Sequence, residues 1–432
     1  MDGPGGGSNG DPTGPPRRGA LVDVVREARS AVNVGCRGWG SSSTALAPRR
    51  QRLHGALDPP PPGRWGRAPR PWSASPTWCV STVPDRGLPV GVVGWEQLRG
   101  WAVQVLRLAG ASEEAADATA DACLYASRRG LDSHGIAYLA TYLPRLREGL
   151  IDGAARPAVV GGTDALAVID GRSAAGAFVA RFAMDWCCDR AARHGIAAAV
   201  VRNSNHFGAA SCYADRAATR GCVGMVWSNS DAAMAPEGSL APALGTNPLA
   251  VAAPGTPMPS LDMSTSVVAH GRVAAAARAG ELLPAAWGIG RDGQPTRDPA
   301  EVLANAVLPM GGHKGFALAF MLEVLTGCLA GGSVGPDLHQ ERGACHLFVA
   351  IDVDRAGGRP AYEGALARLV SSLHDVPRVE GAEPLRYPGE GAAWTSERRR
   401  GGLELDESTA ATLRQLGEEW GAPFPPEHAE GP

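Results

Sequence analysis

Three residues stand where chemistry can be done: His206, Lys314 and His134. His206 lies within Asn203-Ser204-Asn205-His206-Phe207-Gly208, just past an apolar strand expected over 196–201, and open α/β sheets hold their ligands beyond the carboxyl ends of strands. An imidazole titrates near neutral pH, so it can give a proton to a substrate or take one. The competing reading makes His206 a loop histidine at the opening of a helix expected from Ala209. Lys314 is the single lysine among 41 basic residues, in Gly312-His313-Lys314-Gly315. A compact ammonium beside two glycines at a helix start suits a phosphate or a carboxylate; the alternative is that arginine bias left one lysine by chance. His134 occupies the polar turn Asp132-Ser133-His134-Gly135, where Ser133 can equally serve as an N-cap.

Two hydroxyl-bearing clusters follow expected strands, Ser264-Thr265-Ser266 and Asn229-Ser230-Asp231. Each reads either as a set of ligand donors or as ordinary N-capping. A dinucleotide fingerprint is matched by Gly288-Ile289-Gly290-Arg291-Asp292-Gly293, yet Pro284 precedes it and Gln294-Pro295 follows, so no helix start is available to receive a pyrophosphate. That segment is expected to be a turn. A second match, Gly5 to Gly10, falls in a glycine- and proline-rich leader. His270, His313, His339 and His346 show neither HxxxH nor HExxH spacing, and no metal is expected.

The elements that must position these residues alternate. Helices are expected over 95–108 and over 113–129, the latter capped by Ser112, and a helical pattern with Leu139, Tyr142, Leu143, Leu146 and Leu150 on one side is either kinked by Pro144 or begins there. Strand 165–169, helix 176–193 closed by Gly195, and strand 196–201 follow; then come helix 209–219, strand 223–227, strands 249–253 and 260–263, helix 267–279, a long helix from 312, strand 346–351 and two terminal helices. Such alternation is the pattern of an α/β fold and by itself suggests a parallel sheet.

The length of 432 residues, at about 150 per domain, allows two or three packed units. Hydrophobic residues at 44% and charged residues at 20% describe an ordinary globular chain. The apolar stretch 316–330 is broken by Glu323, Thr326 and Gly327, so no membrane span is expected. A net charge of −3 gives no general attraction to nucleic acid. Nine cysteines without CxxC pairs suggest packed thiols in a reducing, cytoplasmic compartment. Residues 1–88 carry twelve Arg against six Asp or Glu, +6, which leaves −9 for the remainder. They are expected to be a disordered or non-native extension, with a targeting role as the alternative. The rest divides into a helical portion 89–160, a core 161–330 and a returning segment 331–432.

The stretches RGLDSHGIAYLATYLPRLREGLI (129–151), VRNSNHFGAASCYA (201–214), SNSDAAMAPEG through LGTNPLAVAAP (228–254), LDMSTSVVAHGRV (261–273), LPMGGHKGFALAFMLEVL (308–325) and Tyr387-Pro388-Gly389-Glu390 together resemble the malate/L-lactate dehydrogenase family distinct from Rossmann-type enzymes. That group also holds ureidoglycolate, sulfolactate and diketogulonate dehydrogenases and cyclic imino acid reductases. The resemblance implies an NAD- or NADP-dependent oxidoreductase acting on small 2-hydroxy or 2-oxo acids. It implies a largely antiparallel cofactor-binding sheet flanked by helices, and a homodimer. By the same likeness His206 is the acid/base residue, and Ser133, His134, Tyr138 and Tyr142 line the substrate pocket. Ser230, Ser264, Thr265, Ser266 and Lys314 contact the dinucleotide, together with Gly389 and Glu390. Many relatives carry an arginine where this chain has Tyr138, and a longer loop where it has 331–344. Two other readings compete: a catalytically impaired ligand-binding relative, and a pyridoxal phosphate enzyme using Lys314 as Schiff base.

Overall fold

Several helix ends follow caps written into the sequence. The computed structural model describes residues 91–338 and 342–426, all within the unit Cys79–Pro432. The segment 1–88, the Gly5–Gly10 match, His339, Cys36 and Cys79 lie outside the described residues. After strand β1 (Gly91–Val93) come helices α1 (Trp95–Leu108) and α2 (Glu113–Arg128). The Ser112 hydroxyl accepts the Ala115 N–H at 3.3 Å, while Glu113 and Glu114 complement the positive end of the α2 dipole. Helix α3 (Leu139–Arg147) runs through Pro144 instead of starting at it; in so short a helix the ring forfeits a single backbone bond.

The principal sheet draws on strands β2 (Ala158–Gly162), β3 (Leu166–Asp170), β4 (Ile196–Ser204), β5 (Cys222–Ser228), β6 (Leu249–Ala252) and β7 (Ser260–Met263). Helix α4 (Gly176–His194) joins β3 to β4 and α5 (Ser211–Thr219) joins β4 to β5. Beyond α6 (His270–Ala279), β8 (Gly288–Ile289), β9 (Pro295–Thr296) and β10 (Ala306–Val307) make a small separate sheet with α7 (Pro299–Ala304) alongside. The GxGxxG segment is thus part of the β8–β9 hairpin, with Gly290 N–H bonded to the Gln294 carbonyl at 2.9 Å and no helix following it directly. Helix α8 (His313–Glu323) continues into a single π-helical turn, Val324–Cys328. Strand β11 (Ala344–Asp352), helices α9 (Val353–Ala356), α10 (Arg359–His374) and α11 (Glu390–Arg398), strand β12 (Leu403–Leu405) and helix α12 (Glu407–Glu419) complete the order.

Seven strands run in the order β2-β3-β4-β11-β5-β6-β7. The β3–β4 pair is parallel and joined through α4, as the strand-helix-strand pattern predicts; the other five pairings are antiparallel. A parallel sheet, suggested by alternation alone, is therefore corrected to a mixed one. Strand β11, which returns from far downstream and inserts between β4 and β5, makes two of the antiparallel pairings, and β2–β3, β5–β6 and β6–β7 make the other three. Helix α4 packs on β4 and β11, and α5 packs on β5 and β6. Their shared core contains Val179, Met184, Val201, Val226 and Phe348.

A second core joins the first three helices to the C-terminal end of the described chain, through Leu98, Trp101, Leu143, Leu405 and Leu413. Strand β12 pairs with β1, and the Trp101 indole donates to the Ala422 carbonyl at 2.8 Å. Cys123, Cys187, Cys188, Cys222 and Cys345 are buried and Cys328 is exposed; burial pushes the Cys123 thiol up to about 12. Among the described residues no helix is long and apolar enough to cross a membrane. Among them, too, no cluster of His, Cys, Asp or Glu is arranged to hold a metal ion.

Candidate active site

Two loops carry the site, and backbone conformation marks both. Arg172, Ser173, Asn203 and Asn247 are the described non-glycine residues with left-handed φ, at 53°, 58°, 54° and 26°. The first three lie where the β3–α4 turn meets the β4–α5 loop, and the fourth lies beside Ser230. Such conformations persist where the surrounding structure enforces them, often at functional sites. Here Ser173 N–H is bonded to the Asn203 carbonyl at 2.8 Å. The Asn205 amide donates to the Ser173 and Ala174 carbonyls at 2.8 and 3.0 Å. Helix α4 begins so close to this loop that a Cβ on Gly176 would stand 2.3 Å from the His206 carbonyl oxygen. Strand, turn and helix start together hold His206 two residues beyond the end of β4.

Around His206 the rings gather. Its Nδ1 lies 2.7 Å from the Tyr142 hydroxyl. The Tyr138 ring stacks on it at 4.7 Å and 26°, and the His134 ring at 5.5 Å and 18°. Ser133 Oγ sits 2.9 Å from His134 Nδ1. A small pocket beside His206 is lined by Thr119, Tyr142, Leu146, Ile151 and Gly176. The DSHG turn and α3 thus meet the β4–α5 loop, and Ser133, His134, Tyr138, Tyr142 and His206 form one cluster.

Ser230 and Lys314 are joined by a second set of contacts. Ser230 N–H donates to Asn247 Oδ1 at 3.1 Å, and Asn247 Nδ2 donates to the Ala319 carbonyl of α8 at 3.1 Å. Thr265 N–H bonds to the Thr246 carbonyl at 2.9 Å, and the Thr265 carbonyl accepts Met310 N–H at 2.9 Å. A Cβ on Gly315 would meet Met310 O at 2.4 Å and Thr265 O at 2.7 Å, so glycine lets α8 open directly against the Ser264–Ser266 segment. Lys314 is exposed at that opening. Ser264 Oγ lies 2.9 Å from Ser266 Oγ, which in turn donates to the Val268 carbonyl at 2.7 Å.

Two parts of the expected cofactor set are engaged elsewhere in the fold. Thr265 is fully buried, and its hydroxyl donates to the Thr246 carbonyl at 2.9 Å, so it ties two loops together. Gly389 packs against Ser260 at the opposite end of β7 from Ser264, about 13 Å away at 3.3 Å per residue. The adjacent Glu390 carboxylate accepts Tyr387 N–H at 3.2 Å and lies 3.3 Å from His374 Nε2. The structure does not bring Gly389 and Glu390 to the Ser264 cluster.

Other contributors went unread in the sequence. Asp262, at the end of β7, accepts both the backbone N–H and the hydroxyl of Ser211, at 2.9 and 2.7 Å. Burial raises its pKa, opposed by those two bonds and by the nearby His134. Arg399 donates to Asp132 at 3.0 Å and to the Ser127 carbonyl, anchoring the DSHG turn to the chain after α11. His346 on β11 stacks on Phe207 at 4.5 Å, next to His206. Burial, then the neighbouring His206, depresses its pKa to about 3.

Residues 93–414 match the family model described as malate/L-lactate dehydrogenase. The chain is 31% identical over 338 residues to a malate/(S)-sulfolactate dehydrogenase of Methanothermus fervidus, covering 76% of this chain and 98% of the relative. It is 33% identical over 330 residues to a 2,3-diketo-L-gulonate reductase of Salmonella heidelberg, covering 75% and 99%. Among solved structures, the sulfolactate dehydrogenase of Methanocaldococcus jannaschii superposes with a TM-score of 0.72 at 31% identity, over 77% of this chain and 98% of that one.

Proposed function

Because the chain belongs to the malate/L-lactate dehydrogenase family, we propose that it moves a hydride between a nicotinamide cofactor, NAD or NADP, and C2 of a small 2-hydroxy or 2-oxo acid. His206 exchanges the proton on the substrate oxygen. The observation that carries this reading is the 2.7 Å contact between the Tyr142 hydroxyl and His206 Nδ1. It fixes the orientation of the ring and supports the reading of His206 as the proton carrier. When the phenol oxygen accepts from Nδ1–H, the neutral ring presents a lone pair at Nε2, the form that takes a proton from an alcohol. An imidazolium keeps the same Nδ1–H contact and delivers a proton to a carbonyl oxygen. Ser133 orients His134, and the two line the substrate side.

When bound, the nicotinamide supplies or accepts the hydride. The residues present suit such a dinucleotide. Lys314 is a point charge at a helix start whose N-cap, Gly312, makes no side-chain hydrogen bond, and Ser230 and Ser264 lie on the segments packed beside it. Ser266 stays in the cofactor set through its contact with Ser264. Thr265 supports that segment from inside, and Gly389 and Glu390 support the far end of β7. The proposed assembly is a homodimer, for which Phe320, Met321 and Leu329 offer apolar surface, 53%, 49% and 55% exposed. A cytoplasmic location completes the proposal. Nothing in the site or the relatives supports a pyridoxal phosphate role for Lys314 or a non-catalytic binding role.

The test avoids the unknown substrate. Purified protein is titrated with NADH and NADPH separately, following nicotinamide fluorescence, beside Lys314→Ala. Saturable binding is expected for one nucleotide or both, weakened roughly 10–100-fold in the variant, the range for a lost charge-assisted hydrogen bond. The exposed position of Lys314 leaves the fold unchanged, which circular dichroism checks. Failure of well-folded wild-type protein to bind either nucleotide sinks the proposal.

A further inference from the structure

Resting on the nicotinamide reading above, we propose that Glu323 is a positioning residue, fixing the loop that carries Ser230 by dictating which way two buried asparagines point. Glu323 ends α8 and is 4% exposed; Asn229 and Asn247 are 2% and 0% exposed. Glu323 Oε2 accepts from Asn229 Nδ2 at 3.1 Å, and Oε1 accepts from Asn247 Nδ2 at 3.0 Å. A carboxylate only accepts, so both amides must turn their NH2 groups toward it and their carbonyl oxygens away. Asn247 Oδ1 thereby receives Ser230 N–H at 3.1 Å, and Asn229 Oδ1 receives Cys345 N–H at 2.8 Å. The remaining amide protons go to the Ala319 and Ser333 carbonyls, at 3.1 and 2.9 Å. Every donor of both amides is used, and neither amide can flip without leaving a buried backbone N–H unpaired.

The surrounding backbone is shaped to this arrangement. Asn247 adopts φ 26°, and the π turn Val324–Cys328 follows Glu323 directly, a feature that recurs at functional sites. The network ties the end of α8, the helix that Lys314 opens, to the loop bearing Ser230. Its chemistry also makes it testable by an isosteric change. In Glu323→Gln one carboxylate oxygen becomes an NH2 facing an asparagine NH2, and that asparagine must rotate. Asn247→Asp combined with Glu323→Gln exchanges donor for acceptor at this contact and still offers an oxygen to Ser230 N–H, but it sets a carboxylate oxygen against the Ala319 carbonyl that the amide donated to at 3.1 Å, so it restores the network only in part.

Dinucleotide Kd and kcat at saturating cofactor are measured for wild type, Glu323→Gln and the double variant. Glu323→Gln is expected to raise Kd about 10–30-fold while kcat changes less than about threefold, because the loop is displaced and His206 is untouched. The double variant is expected to recover part of that affinity, with a Kd at least about threefold below that of Glu323→Gln, as coupled neighbours do. Wild-type protein that binds neither nucleotide refutes the cofactor reading itself. Wild type that binds while Glu323→Gln binds equally well, or a double variant no better than the single, overturns the role of Glu323 alone. Loss of folding in both variants assigns the network to stability and likewise overturns it.

Discussion

Replacing His206 with alanine is expected to lower kcat by about 10²–10⁴-fold, the usual contribution of a general acid or base, while leaving nucleotide affinity within about twofold. The reason lies in how the loop is built. Asn205 holds the backbone through two carbonyl contacts, and the Tyr213 hydroxyl donates to the Phe207 carbonyl. His206 itself is half-buried and carries none of those contacts. Its removal therefore deletes a proton carrier without releasing the loop. Steady-state kinetics at saturating nucleotide, beside a fluorescence titration, separate the two quantities. A variant with kcat within about threefold of wild type would show that the proton moves elsewhere.

The second large effect concerns stability against acid. His346 is fully buried, and its pKa is pushed down to about 3 from an ordinary 6.5, by burial first and by His206 second. Between those values the unfolded chain binds a proton that the folded chain excludes, so unfolding is favoured as pH falls from 6.5 toward 3. Above 6.5 this residue adds no pH dependence. The slope is at most about 1.4 kcal/mol per pH unit, and about 5 kcal/mol over the whole window as an upper bound. Phenylalanine at this position keeps the stack on Phe207, and Ser228 Oγ keeps its bond to the Asn229 carbonyl at 2.8 Å. Denaturant unfolding of His346→Phe at pH 4, 5 and 6 is expected to give a free energy that changes less with pH than that of wild type, by about 1 kcal/mol per unit. Parallel curves for the two proteins would contradict the assignment.

Local pattern carried most of the fold. Trp95–Leu108 and Ser260–Met263 have the ends the sequence predicts, because apolar periodicity stops where a turn or cap begins. Long-range pairing left no such trace. The place of β11 between β4 and β5, and the pairing of β12 with β1, depend on which strand edges remain open after the rest has folded. Two-residue strands such as Gly288–Ile289 are too short to show a period. At the candidate site, His206 and Lys314 stood out in the sequence because each is a polar residue in a turn with a chemistry to offer. Asp262, Asn247 and the packing role of His346 did not, because a buried polar residue in a strand or turn looks in sequence like an interruption. Glu323 did leave a signal. It breaks the most apolar stretch of the chain, and a lone acid there must have partners, which are the two asparagines.

The central claim, hydride transfer with His206 as proton carrier, is tested most directly by following reduced-nicotinamide absorbance when the protein is offered 2-oxo acids with neutral, carboxylate and sulfonate side chains. Oxidation of NADH or NADPH with at least one of them, abolished in His206→Ala, is the expected result. Tight nucleotide binding with no oxidation by any acid of the panel would contradict it.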